Sequence, residues 1–372
     1  MRTPLRLSVP LARVRGGTGY SFELTIVADE AIRPRFFNVY YCESRAGCDP
    51  ARSTARWKLT NLSSAMSTQQ ASTRLPVIDV EAFLSGEKGA LEITAKELQG
   101  ALEDVGFLSI VGHGIEWRIV TDMYNWAARY HNLSDVTKLN HEMTSTLMGY
   151  VGLGGAKRGD RPHALNAAFF MGRPGSKRNQ FPDEEALPGF RDATETYYRV
   201  MEQLCLNLLP LYATAADMPA NYFDKFFDPA LATLRMSHYP PVVAEPDQWG
   251  IDPHSDAGFM TLLPTNEVSG LAIKADDGWF SVEQEPQSFV VNAGDTLRAW
   301  SNNRFRSTQH RALNVSAGNR FAIPFFFDPR PDTTIEPLSG CISDMRPLAV
   351  KPYRYGEYLQ NFMREGYIPA AN

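Results

Sequence analysis

Three residues with metal-binding side chains stand out by type and spacing. His254 and Asp256 open the stretch HSDAGFMTLLP (254–264), ahead of the apolar run Phe259, Met260, Leu262 and Leu263. In an extended chain, positions i and i+2 point to the same face. An imidazole and a carboxylate placed so are costly to bury unless both find partners. His310, in STQHRAL (307–313), lies on a later segment that an antiparallel fold brings back alongside. Two histidines and one carboxylate form the facial triad of non-haem Fe(II) sites, which leaves coordination positions open. The same donors also bind Zn²⁺.

Arg320 lies ten residues beyond His310, in the nearly apolar segment NRFAIPFFF (319–327). A guanidinium there needs an anionic partner, and its planar fork suits a carboxylate. A small dicarboxylate that chelates iron at its other end, such as 2-oxoglutarate, is one candidate. A structural Asp is the other.

The rest of the chain must position these groups. After residue 231, short segments succeed one another between turns: LATLRMSHYP, FMTLLP, GLAIKA, WFSVE, SFVVN, TLRAWS, TQHRAL and RFAIPFFFDP. Eight strands at this spacing predict a mainly β fold with flanking helices, built on a sandwich or jelly roll. Upstream, VIDV (77–80) and FLSIV (107–111) predict strands, and AAFFMG (167–172) a further short strand among long loops. Helical periodicity predicts helices over 91–106 (Leu91, Ala95, Leu98, Leu102, Val105), over 116–140, over 190–217 with a kink at Pro210, and over 353–367.

Residues 1–74 differ from the remainder of the chain. Nine arginines and one lysine fall before residue 60, and TNLSSAMSTQQASTR (60–74) has linker composition. The expected organisation is a leader and linker over 1–74, with Met66 as the natural start; a helical and stranded domain over 75–190; and a catalytic β domain over 191–372. A net charge of −5 gives no basic footprint for nucleic acid. No apolar run reaches the ~18 residues of a membrane span. Four cysteines are too few for a disulfide scaffold, although Cys42 and Cys48 could pair. A monomer of the reducing cytoplasm, acting on a small molecule, is the expectation.

Several segments together resemble the isopenicillin N synthase-like iron oxygenases over about 75–330. LPVIDV and GFLSIVGHGI look like that family's N-terminal domain; HYPP (238–241), HSDAGFMTLL, GDTLRAWSNNRFRSTQHR and NRFAIPFFFDP look like its catalytic domain, in order. The resemblance implies a double-stranded β-helix with Fe(II) on His254, Asp256 and His310. It implies that Arg320 and Tyr239 hold the distal carboxylate of 2-oxoglutarate, with Ser237 at a position near the co-substrate that is often Asn in the family. It implies an O₂-dependent oxidation (hydroxylation, desaturation or cyclisation) of a small organic substrate. RPHALNAAFF (161–170) falls where the family's N-terminal half faces the iron, so Asn166, Phe169 and Phe170, with Arg161 and His163 as polar alternatives, are substrate candidates. A co-substrate-free oxidase of the isopenicillin N synthase type is the alternative. One departure is Ala322: the family has Ser two residues after this Arg, and losing that hydroxyl costs about 0.5–1.5 kcal/mol.

Overall fold

The computed structural model describes residues 72–366, apart from 156–163, 243, 245, 246, 277 and 315, together with two short strands near the start of the chain. Two compact units are present, Met1–Ser67 and Thr68–Asn372. In the first, strand Leu5–Leu7 pairs antiparallel with Leu24–Ile26. The start at Met66, the Cys42–Cys48 pair, Arg161 and His163 lie outside the described residues.

The second unit is mostly sheet with flanking helices around a jelly-roll core. Its larger sheet runs Val77–Asp79, Phe107–Val111, Phe289–Ala293, Met260–Pro264, Phe325–Asp328, Leu231–Tyr239, Ala167–Met171, Gly149–Val151, and Arg320–Ala322 also pairs with Leu231–Tyr239. The smaller sheet runs Ser72–Arg74, Gly278–Glu283, Leu271–Ala275, His310–Ala312, Ile251–His254. Residues 72–74, linker by composition, are thus a strand, parallel to Gly278–Glu283.

Strand alternation sorts the larger sheet into two faces. Leu108, Ile110, Phe289, Val291, Leu234 and Met236 join the main core, beneath helices Ala90–Asp104, Trp117–His131 and Phe190–Ala215. Phe107 and Val290 turn the other way, packing on Leu271, Ile273 and Val282 of the smaller sheet. Tyr239 and Ala322 meet Ala312 across the same gap. The predicted stripe of the long helix is buried at Tyr197, Met201, Leu204, Leu208 and Leu211, and the helix continues through Pro210 to Ala215. Helix Ala90–Asp104 stops at Gly106, whose φ of 74° favours glycine and where a Cβ would strike the Arg306 carbonyl.

Two local expectations are corrected. His254 and Asp256 do not share one extended segment. His254 ends a strand of the smaller sheet, Met260 begins one of the larger, and residues 255–259 are the turn between the sheets. TLRAWS is not a strand either, because Asp295–Trp300 is a helix. The backbone N–H groups at its start donate to the turn: Gly294 to the Phe259 carbonyl (3.2 Å), Asp295 to that of Asp256 (2.8 Å), and Thr296 to those of Ala257 and Gly258 (3.2 and 3.1 Å). A helix start offers N–H groups without intrahelical partners, and here the turn supplies the acceptors.

Candidate active site

The corner between the sheets places the three sequence-singled residues together. His254 comes from the last residue of its strand and His310 from the first residue of the adjacent one, and the two are register partners. Their ring centroids are 4.2 Å apart. His254 Nε2 lies 3.7 Å from Asp256 Oδ1, and His310 Nε2 lies 3.6 Å from the same oxygen. One ligand atom from each of the three falls within 4.8 Å of the others, close enough to share one ion.

Neighbouring groups orient each of the three side chains. His254 Nδ1 is 2.7 Å from the Asp252 carbonyl, and His310 Nδ1 is 3.3 Å from that of Thr308. A carbonyl can only accept, so each Nδ1 carries the proton and each Nε2 presents its lone pair to the centre. Phe107 sets its ring edge-on to His310 at 5.4 Å. Asp256 Oδ2 accepts from Thr261 Oγ1 (2.7 Å) and Asn292 Nδ2 (2.9 Å). Burial works against the Asp256 charge, but positive charge on His310 and His254 when they are protonated, with those two hydrogen bonds, holds its carboxyl below the usual range. The donor set and its orientation therefore fit a divalent iron.

A second polar group lies on the same interior. Arg320, 2% exposed, pairs in register with Tyr239, and its guanidinium lies over that ring at 4.6 Å. Its Nε makes only a long bond, 3.4 Å, to the Val268 carbonyl. Its Nη1 is buried with no hydrogen-bond partner among the described residues, and so is the Ser237 hydroxyl. Ser237 stands directly opposite Ala322. Two buried donors left in this way, on one face, form a place for an anion.

The proposed substrate residues separate. Phe169 points into the main core, packing on Tyr130 at 4.8 Å and Phe190 at 5.5 Å, so its candidacy is corrected. Alternation turns Phe170 the other way, beneath the Arg235 guanidinium at 5.2 Å. Asn166 commits both ends of its amide, Nδ2 to the Gly250 carbonyl and Oδ1 to Arg235 Nη2 (2.8 Å). It steadies Arg235 rather than offering polar atoms to a ligand. Arg235 itself went unnoticed in the sequence, although Arg235, Ser237 and Tyr239 alternate along a strand whose other face carries Ala232, Leu234 and Met236 into the core.

The chain matches two family models: the 2OG-Fe(II) oxygenase superfamily over residues 230–329, and the non-haem dioxygenase in morphine synthesis N-terminal model over residues 75–188. It is 31% identical over 293 residues to the 2-oxoglutarate-dependent dioxygenase citB of Monascus ruber, covering 71% of this chain and 87% of that protein. It is 29% identical over 307 residues to the Lateral Branching Oxidoreductase 1 protein of Arabidopsis thaliana, covering 81% and 84%. A full-length Neurospora crassa protein, crystallised in complex with alpha-KG and thymine, superposes with a TM-score of 0.72 at 26% identity, covering 78% of this chain and 96% of that one.

Proposed function

The chain belongs to the 2OG-Fe(II) oxygenase superfamily, and from that premise we propose how its own residues divide the work. It is a 2-oxoglutarate-dependent Fe(II) dioxygenase, coupling oxidative decarboxylation of 2-oxoglutarate to the oxidation of a small organic substrate. The named relatives and solved neighbours do not favour a co-substrate-free oxidase. His254, Asp256 and His310 hold the metal. Arg320, backed by Tyr239 and helped by Ser237, takes the distal carboxylate of 2-oxoglutarate. Phe170 and Arg235 line the side from which the substrate is oxidised.

Bound iron supplies the redox centre at which 2-oxoglutarate and O₂ react. The protein supplies placement. The Asp252 and Thr308 carbonyls hold the Nδ1 edge of each ring, which turns both Nε2 atoms toward the metal position. Thr261 and Asn292 hold Asp256 Oδ2, so that Oδ1 faces the histidines. Arg320 meets the carboxylate in a dry interior, where a charge-assisted pair is strong and directional. The apolar walls, Phe107 and Phe170 among them, exclude water from the reacting atoms. A reducing cytoplasm suits both the ferrous state and the buried thiols of Cys205 and Cys341.

The observation carrying this assignment is the convergence of His254, Asp256 and His310, together with a buried Arg320 whose Nη1 has no partner among the described residues. Anaerobic titration with Fe(II) and then 2-oxoglutarate tests it. The expected result is the weak visible charge-transfer band of the chelate, followed on aeration by succinate. Absence of the band in wild type, or its persistence unchanged in Arg320→Ala at limiting 2-oxoglutarate, contradicts the assignment.

A further inference from the structure

The turn carrying Asp256 is held from outside the site as well as within it, and Asp295 is the centre of that hold. Its backbone N–H donates to the Asp256 carbonyl at 2.8 Å. Its carboxylate Oδ2 accepts from the hydroxyl of Ser255, the residue between His254 and Asp256, at 3.1 Å. The same Oδ2 accepts from the Tyr358 hydroxyl at 3.0 Å. Tyr358 belongs to the C-terminal helix Tyr355–Gly366. The other carboxylate oxygen of Asp295 lies 3.2 Å from Arg298 Nη2. One residue thus grips both sides of the ligand-bearing turn and ties it to an element well beyond the second histidine in the chain.

An acid in the first turn of a helix is ordinary, since it complements the helix dipole. That role would be met by solvent-facing carboxylate oxygens. Here Oδ2 is shared between the ligand turn and the C-terminal helix, at sequence separations of 40 and 63 residues. A second carboxylate repeats the arrangement on the far side of the turn. Asp328 Oδ1 accepts from the Phe259 N–H at 2.8 Å. It lies so close to Gly258 that a Cβ there would overlap it. The Tyr355 phenol, at the start of the same C-terminal helix, is buried beside it; burial first, and then the Asp328 charge, push that phenol up.

We propose that Asp295 is a positioning residue for the metal site, and that the C-terminal helix acts on metal affinity through Tyr358 and Asp295. The inference rests on the assignment of His254, Asp256 and His310 as the ligands. Backbone and side chain of Asp295 together fix the approach of Asp256, whose ligand oxygen has little tolerance for displacement. Tyr358 limits the rotamers of Asp295, so losing its hydroxyl loosens the turn without touching any ligand.

Mn(II) binding to the full-length protein tests this, read as the loss of the six-line EPR signal of free Mn(II). Asp295→Asn is expected to raise the dissociation constant at least fivefold, and Tyr358→Phe at least twofold. Tyr358→Phe should have no further effect in the Asp295→Asn background. Apo-protein melting temperatures are measured alongside, with Arg298→Gln as the control that removes only the contact on the other oxygen. A Mn(II) affinity within experimental error of wild type in both Asp295→Asn and Tyr358→Phe overturns the inference. So does an affinity loss that merely follows the melting temperature across all variants, Arg298→Gln included. If Asp295→Asn fails to fold, Tyr358→Phe, which deletes one hydroxyl, decides alone. No Mn(II) uptake by wild type overturns the ligand assignment itself and the inference with it, an outcome distinct from uptake that the variants leave unchanged.

Discussion

At the scale of single residues, the proposed ligands are defined as much by the atoms turned away from the centre as by those turned toward it. Nδ1 of each histidine faces a carbonyl, and Asp256 Oδ2 faces Thr261 and Asn292. Three protein ligands leave no substitute, so His254→Ala, Asp256→Ala and His310→Ala should each abolish 2-oxoglutarate turnover while keeping a cooperative melt. Near-wild-type turnover in any of the three would remove that residue from the site. Arg320→Ala should raise the KM for 2-oxoglutarate more than a hundredfold, since breaking a buried charge pair costs about 3–5 kcal/mol. Ser237→Ala should raise it about tenfold to a hundredfold, the worth of about 1.5–3 kcal/mol for one hydrogen bond to a charged group. Ala322→Ser, placing a hydroxyl directly opposite Ser237, should lower it. Steady-state assays at varied 2-oxoglutarate check all three, and equal KM values for wild type and Ser237→Ala would take Ser237 out of the co-substrate site. The triad was legible in the sequence because His and Asp are conspicuous in an apolar run. Asn292 and Thr261 were not, because nothing in VVNAG or MTLL distinguishes a ligand's partner from an ordinary strand residue. Phe169 and Phe170 differ by one position, and a period of two sends one to the core and the other to the interior of the jelly roll.

At the scale of elements, the segment TLRAWS shows where local pattern reaches its limit. Its six residues suit a strand or a helix. The choice is made by N–H groups that find carbonyls in a turn nearly forty residues upstream, which no short window contains. The strand Ile251–His254 was missed for a related reason: it includes Pro253 and has little alternation, and its pairing with His310–Ala312 is what defines it. Helix Trp117–His131 makes a prediction of its own. His131 Nε2 lies 3.0 Å from the Met236 carbonyl, so it donates there, and burial lowers its pKa to about 3. The folded state therefore binds fewer protons than the unfolded state below the ordinary histidine value of about 6.5. Stability from this residue is complete above about pH 6.5 and falls as the pH drops toward 3, by up to about 1.4 kcal/mol per pH unit. Urea unfolding of the apo-protein at pH 7.5 and 5.5 measures it. His131→Asn, which cannot titrate, should show a smaller loss on acidification, and an equal loss in both proteins would refute the assignment.

At the scale of the whole second unit, the strands Val77–Asp79 and Phe107–Val111 extend the larger sheet at Phe289–Ala293. The segments before and after the long helix therefore share one hydrogen-bonded layer. Composition could forecast the mainly β core and its helices, since alternation and helical stripes are local. It could not forecast this pairing, which joins residues about 180 apart. The proposed metal ligands sit where the two sheets meet, so metal binding should stabilise the unit as a whole. Fe(II) at about a hundred times its dissociation constant is expected to add about 2.7 kcal/mol. Anaerobic thermal melts with Fe(II), with Fe(II) and 2-oxoglutarate, and with a chelator should show a rise, a further rise and a return. A melting temperature indifferent to Fe(II) would mean that the three side chains do not hold it.

The donation of three successive backbone amides, Gly294, Asp295 and Thr296, to the turn that carries Asp256 has a practical consequence. Those protons can reach solvent only when the turn opens, so their hydrogen–deuterium exchange is a clock for its opening. Loading the site should slow exchange at these three positions, although none of them is among the proposed ligands. A peptide spanning 289–300 would then report occupancy in solution, in the dark and without turnover, for any ligand that closes the corner.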